Sequence, residues 1–161
     1  MRSLLHIAVC AGLVSASGCA DPASPDPGEL VGQWVSARAD LSPQGWHQYH
    51  LTFTTAGRFV HEVRSYGVYP SQRSDALSAF SRVEGLFTAG GDRLSLEPER
   101  LVWWDSFYGE SSPVHVVQPY PWGGVFDDAR YFIREHKLIV HYTTYPADAP
   151  EPTTAEYWRV P

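Results

Sequence analysis

The chain has 161 residues, with 12 lysines and arginines against 18 aspartates and glutamates, and a formal net charge of −6. An acidic chain without a basic stripe excludes nucleic acid as a natural partner, and charge alone gives it no hold on an anionic lipid surface. The length is that of one domain with a real core.

Arg2 is the only early charge. Leu4 to Val14 is an apolar run broken only by His6 and Gly12, and Ser15, Ala16, Ser17 and Gly18 lead into Cys19. A basic start, a short apolar stretch and a small-residue zone are the grammar of a secretory signal peptide. The run is about half of the ~20 residues that a membrane-spanning helix needs.

The stretch Ala16-Ser17-Gly18-Cys19 resembles a bacterial lipobox, with Ala16 where leucine is usual. That resemblance implies a diacylglycerol on the Cys19 thiol and a cut that leaves Cys19 as the new N-terminus. The expected partner is then the membrane of a bacterial cell envelope. Ala20 after the cysteine resembles an outer-membrane address. Ordinary cleavage after Ala16 or Ala20 would give a secreted or periplasmic protein instead. The expected organisation is a signal peptide over 1–18, a lipidated cysteine and proline-rich tether over 19–29, and one folded domain over 30–161.

Removing 18 of the 161 residues leaves 143, with 11 basic groups against 18 acidic ones. Cys10 leaves with the signal, so Cys19 is the sole thiol. The mature domain forms no internal disulfide and no cysteine-based metal site. Asp21 to Glu29 reads DPASPDPGE, and its three prolines disfavour helix and favour an extended tether.

From Leu30 onward nearly every apolar segment has period two. Tyr49, Leu51 and Phe53 alternate with His50, Thr52 and Thr54, and Thr55-Ala56-Gly57 reads as a hairpin turn. Phe59, His61 and Val63 form the next in-phase set. Strands are expected at Phe80 to Ala89, Arg93 to Leu96 and Arg100 to Trp104, with Gly90-Gly91-Asp92 as a tight turn. Tyr131 and Ile133, then Leu138, Val140 and Tyr142, flank a turn at Glu135-His136-Lys137, and Thr154 to Val160 is the last strand. Ser74-Asp75 reads as the cap of one helical turn through Ala79. Eight to ten short strands with short turns specify an all-β antiparallel sandwich or barrel. Tyr66 to Asp75 and Asp105 to Asp128 are long loops, where binding residues tend to sit.

Gly32-Gln33-Trp34 opens the first strand, LVGQWVSA, followed by LTFTTAGRF, VEGLFTAGGDRLSL, KLIVHYTTY and a closing AEYWRV. This set resembles the lipocalin-like domains of bacterial lipoproteins over roughly residues 30–160. The resemblance implies an antiparallel lipocalin-like β-barrel whose base is closed by Trp34 with Arg159 packed across its ring. Guanidinium over indole is favourable in its own right. No match to the family's middle motif is present, so a ligand role comes by analogy.

His47 and His50 are three apart, which on a strand puts them on opposite faces. His61-Glu62 lacks the second histidine of a zinc-protease motif, since position 65 is Ser65. There is no Gly-x-Ser-x-Gly elbow and no phosphate loop. No metal, cofactor or catalytic residue is expected. Glu97-Pro98-Glu99 and Asp127-Asp128 read as solvated turns. The aromatic groups Trp103-Trp104, Phe107-Tyr108 and Tyr120-Pro121-Trp122 either fill the core and cover a barrel end, or wall a ligand mouth. The expected ligand wall is His61, Trp103, Trp104, Tyr108, Trp122 and Tyr131 around a small apolar or aromatic molecule. Two competing readings are a protein-interaction module using the Asp105 to Asp128 loop, and a small enzyme built on His61 with a luminal carboxylate or tyrosine hydroxyl.

Overall fold

A computed structural model describes residues 26–40, 45–69, 72–106, 125–145 and 149–161. The expected signal segment, Cys19, Tyr108, Trp122 and most of the expected tether lie outside these residues.

One helical turn, α1 (Pro27–Leu30), precedes nine strands. They are β1 (Gly32–Ser36), β2 (Ala39–Asp40), β3 (Trp46–Phe53), β4 (Arg58–Tyr66), β5 (Leu77–Gly90), β6 (Arg93–Asp105), β7 (Asp127–Arg134), β8 (Lys137–Thr144) and β9 (Glu151–Arg159). From β2 to β9 each strand pairs antiparallel with the next, and β1 pairs with both β3 and β9. Eight strands therefore close into an antiparallel barrel, and β2 is one extra strand continuing beside β3. The β6–β7 junction, which closes at Arg93–Arg130 alone, is the least paired edge of the barrel.

The period-two pattern sets which face is inside. Tyr49, Leu51 and Phe53 of β3 and Phe59, His61 and Val63 of β4 point inward, where Leu51, Phe53 and Phe59 are wholly buried. The alternate positions carry charge on the outer face. Glu62 sits opposite Arg82, and Glu84 opposite Arg100, at 3.7 and 3.6 Å. These half-exposed pairs say more about which face is wet than about stability.

Three expectations are corrected. The segments Arg93–Leu96 and Arg100–Trp104 are one strand, β6, and Glu97-Pro98-Glu99 is a bulge within it rather than a turn. Gly85 faces Pro98 while Glu84 faces Arg100, so Glu99 is the extra residue. A bulge is where a strand tolerates a proline, which brings no N–H to the ladder. Ser74-Asp75 caps no helix, because Arg73 grips the Asp75 carboxylate and the Ala76 N–H donates to the Arg73 carbonyl in a turn that opens into β5. The end of the expected tether is helical: Asp26 caps α1 by accepting from the Gly28 N–H at 2.9 Å, and Pro27 stands in the first turn, where a missing N–H costs nothing.

That turn plugs the base. Leu30 is wholly buried, and its carbonyl accepts from Trp34 Nε1 at 2.8 Å. Arg159 lies 4.4 Å above the Trp34 ring and donates to the carbonyls of Val31, at 3.0 Å, and Glu29. Gly32 has φ +139°, and a Cβ there would stand 3.0 Å from Arg159 Nη1. The glycine of Gly-x-Trp is thus required by backbone and neighbour together.

Tight turns at Thr54–Gly57, Gly91–Asp92 and Glu135–His136 join strands at the base end. The connections at the other end are longer: 37–45, 67–76, 106–126 and 145–150. The lower barrel is filled by Trp34, Phe53, Phe59, Tyr131, Leu138 and Val140, each at most 1% exposed.

Candidate functional site

Above that packed floor the barrel is hollow. One cavity of about 640 Å³ runs between Tyr49, His61, Phe126, Tyr142 and Tyr157 and the Ser36–Ala39 segment. A second, of about 390 Å³, adjoins it between Val63, Ser81, Val83, Leu101 and Trp103. His61 and Val125 line both and mark the boundary. Volumes of this size suit small organic molecules.

The sequence places these groups through strand phase. Tyr49 is two residues from Leu51, His61 two from Phe59, Tyr142 two from Val140 and Tyr157 two from Arg159, so each inherits the inward face of its strand. The larger cavity also touches Thr154, Glu156 and Trp158, which alternate with the inward Thr153, Ala155 and Tyr157. It reaches both faces of β9 because β1 leaves β9 after Ser36, where the last pair is Ser36 with Tyr157. The upper wall therefore has a notch between Ala37–Ala39 and β9.

His61 is stacked on Tyr49 (5.9 Å between ring centres, 5° between planes) and meets Phe126 edge-on at 5.6 Å. Its Nε2 is covered by protein and accepts or donates no hydrogen bond among the described residues. Burial lowers its pKa from 6.5 to about 4, against a weaker upward pull from Glu62. The imidazole is neutral at physiological pH. Burial raises the pKa of Tyr142 and Tyr157, and each is raised further by the tyrosines around it, Tyr49 among them. All three side chains line the larger cavity, and none of their hydroxyls hydrogen-bonds a described residue.

The expected ligand wall divides. His61 and Trp103 line the cavities. Trp104 is on the opposite face of β6, stacked on Phe80 at 6.3 Å, because neighbours on a strand point to opposite sides. Tyr131 is inward but wholly buried in the floor, below both cavities. Tyr108 and Trp122 lie outside the described residues. Tyr49, Tyr142, Tyr157 and Phe126 were missed as lining groups. The signal for three of them is their phase with neighbouring core residues, which also made them look like filler.

Among the described residues no three His, Cys, Asp or Glu side chains gather to hold a metal ion, and no helix is long and apolar enough to cross a membrane. A general-base role for His61 needs a partner to orient it. No carboxylate or hydroxyl of the described residues hydrogen-bonds Nε2. No protein-family model, no curated protein and no solved structure matches this chain.

Proposed function

We propose that this chain is an exported lipoprotein, tethered to the bacterial envelope through Cys19, whose lipocalin-like barrel holds a small, partly apolar molecule without changing it. The observation that carries the binding reading is the hollow upper lumen of about 640 Å³ above a packed floor. A barrel built only as a spacer gains by filling that volume, since empty space forfeits contacts. The Gly32-x-Trp34 opening and the Arg159 lid over Trp34 support the lipocalin-like reading. The lipobox-like Ala16-Ser17-Gly18-Cys19 supports the anchor. The described fold is under way by Asp26, seven positions after Cys19. Several acyl chains at ~0.8 kcal/mol per CH₂ would hold such a protein at a membrane surface.

The test is native mass spectrometry of protein extracted from its own host, beside the variant Ala155→Trp. Ala155 lines the larger cavity, and an indole there occupies the proposed binding space. The expected result is a diacylglyceryl mass on Cys19 and a non-covalent adduct that Ala155→Trp loses. An unacylated Cys19 removes the anchor. An adduct kept by the filled variant, or no adduct and no uptake of any small molecule, removes the binding reading.

A further inference from the structure

The charge of the lumen goes further than its volume. Of the residues lining the two cavities, Arg38 is the only cation, and its guanidinium is turned away to Asp40 at 3.1 Å and to the Trp46 ring at 4.6 Å. Among the described residues that line the cavities, a carboxylate or phosphate would meet no cation but Arg38, which is already paired with Asp40. Asp105 and Glu151, in phase with inward Trp103 and Thr153, would repel it near the rim. Those rim carboxylates would draw a cation, but Glu156, the carboxylate that lines the larger cavity, is already held by Lys137 at 3.0 Å, so the interior itself offers a cation no free partner. The lumen already contains a group that could carry positive charge, His61, and burial there holds it neutral down to about pH 4. No carboxylate faces His61 from the neighbouring inward positions, which are Tyr49, Leu51, Phe59, Val63, Val83 and Phe126.

The interior nonetheless keeps polar atoms. The side chains of Tyr49, Tyr142 and Tyr157 all line the larger cavity, and their hydroxyls hydrogen-bond no described residue. None of these hydroxyls is among the buried polar atoms left without a partner, so each opens to the cavity, where a hydrogen-bonding group of a ligand can take the place of water. The walls around them are flat rings: Phe126 packs on Tyr142 at 4.7 Å between ring centres and on His61 at 5.6 Å.

We propose that this cavity selects an uncharged, ring-bearing molecule with one hydrogen-bonding substituent, the ring lying among Phe126, His61 and Tyr49 and the substituent meeting the tyrosine hydroxyls. The proposal rests on the cavity being a binding site and specifies what enters it.

The test is calorimetric titration at neutral pH with four probes sharing one ring system: naphthalene, 2-naphthol, 2-naphthoate and a naphthylmethyl trimethylammonium salt. The expected order places 2-naphthol tightest, with the anion and the cation each weaker by tenfold or more on the order of a lost buried hydrogen bond. In Tyr142→Phe, which removes one oxygen and keeps the ring, 2-naphthol loses roughly tenfold relative to naphthalene. A cooperative urea transition of the variant reports that it is folded. The order among probes is read on the unaltered protein and needs no variant to fold. Naphthoate or the ammonium binding as tightly as 2-naphthol overturns the uncharged class and leaves the cavity reading standing. An unchanged 2-naphthol affinity in Tyr142→Phe, Tyr49→Phe and Tyr157→Phe overturns the role of the hydroxyls. No binding by any probe sinks the cavity reading itself.

Discussion

His61 carries the sharpest consequence at the scale of single residues. Its folded pKa is about 4, below the unfolded 6.5. Between those values the unfolded chain binds a proton that the folded chain refuses, so stability falls as pH falls. The effect is absent above pH 6.5 and complete below about pH 4. At pH 5 it amounts to about 2 kcal/mol. His61→Phe keeps a ring against Tyr49 and Phe126 and removes the proton site. Denaturant unfolding of both proteins is expected to agree within about 1 kcal/mol at pH 7, where an apolar ring replaces an unsatisfied polar atom. At pH 5 the variant is expected to be more stable by about 2 kcal/mol. His50 is also lowered, by burial and by Arg64, but it is present in both proteins and cancels in the difference. Parallel pH curves for the two proteins would show that His61 titrates normally in the fold. Arg159 illustrates the opposite case, a charge kept at a buried end. It covers the Trp34 ring and satisfies the carbonyls of Glu29 and Val31 with one planar group. A lysine ammonium is a point charge and cannot cover a ring and span two acceptors in that way.

Among the elements, β5 and β6 form the longest hairpin, paired at twelve positions from Ala79–Asp105 to Gly90–Arg93. Its irregularity is concentrated at Gly85. A Cβ there would stand 2.0 Å from the Glu97 carbonyl oxygen and 2.9 Å from the Phe59 ring. Backbone cannot yield to that contact as a flexible side chain could. Gly85→Ala is therefore expected to cost about 3 kcal/mol or more, in the range of overpacked cores and strained backbone, read as the shift of a urea midpoint. A loss under 1 kcal/mol would mean that the bulge relaxes freely. This hairpin also shows what sequence can and cannot disclose. Alternation at Phe87, Ala89, Leu94 and Leu96 announces two strands and the turn between them. The Glu97-Pro98-Glu99 interruption is polar and contains proline, so it reads as a turn. Only the partner strand, with Gly85 opposite, turns it into a bulge. The same limit applies to the cavity. Phase puts Tyr49, Tyr142 and Tyr157 inside, yet whether inward rings meet or leave a hollow depends on barrel diameter and shear, which no single strand encodes. Trp104 was misjudged for a simpler reason: it neighbours Trp103, and adjacency on a strand means opposite faces.

For the whole molecule, closure of the barrel is uneven. β5 and β6 share twelve pairs, whereas β6 and β7 share one, Arg93 with Arg130. That seam is supplemented by the Tyr131 N–H donating to the Asp92 carbonyl at 2.8 Å and by Arg130 near the Asp92 carboxylate at 3.3 Å. The start of β7 is irregular, with Asp128 at φ +51° and a register shift between Asp127 and Arg130. A hollow of about 570 Å³ lies beside it, bounded by Ala89, Gly90, Leu94 and Phe126 to Ala129. Few ladder bonds and open space beside them are the physical ingredients of local opening below the global unfolding free energy. Phe126 links the seam to the larger cavity, because it borders this hollow and also contacts His61 and Tyr142. A molecule seated against Phe126 would hold the ring in place, and with it the first residues of β7. Native-state amide hydrogen exchange is the measurement that separates these possibilities. The β7 amides facing β6 are expected to exchange ~100-fold or more faster than those of β4 and β5, which sit between fully paired neighbours. Saturation with 2-naphthol should slow the β7 amides and leave β4 and β5 at the global limit. Equal protection of β7 and β5 without ligand would mean that the barrel opens as one unit. The few bonds across the seam would then suffice, and motion there would have no part in how a molecule reaches the lumen.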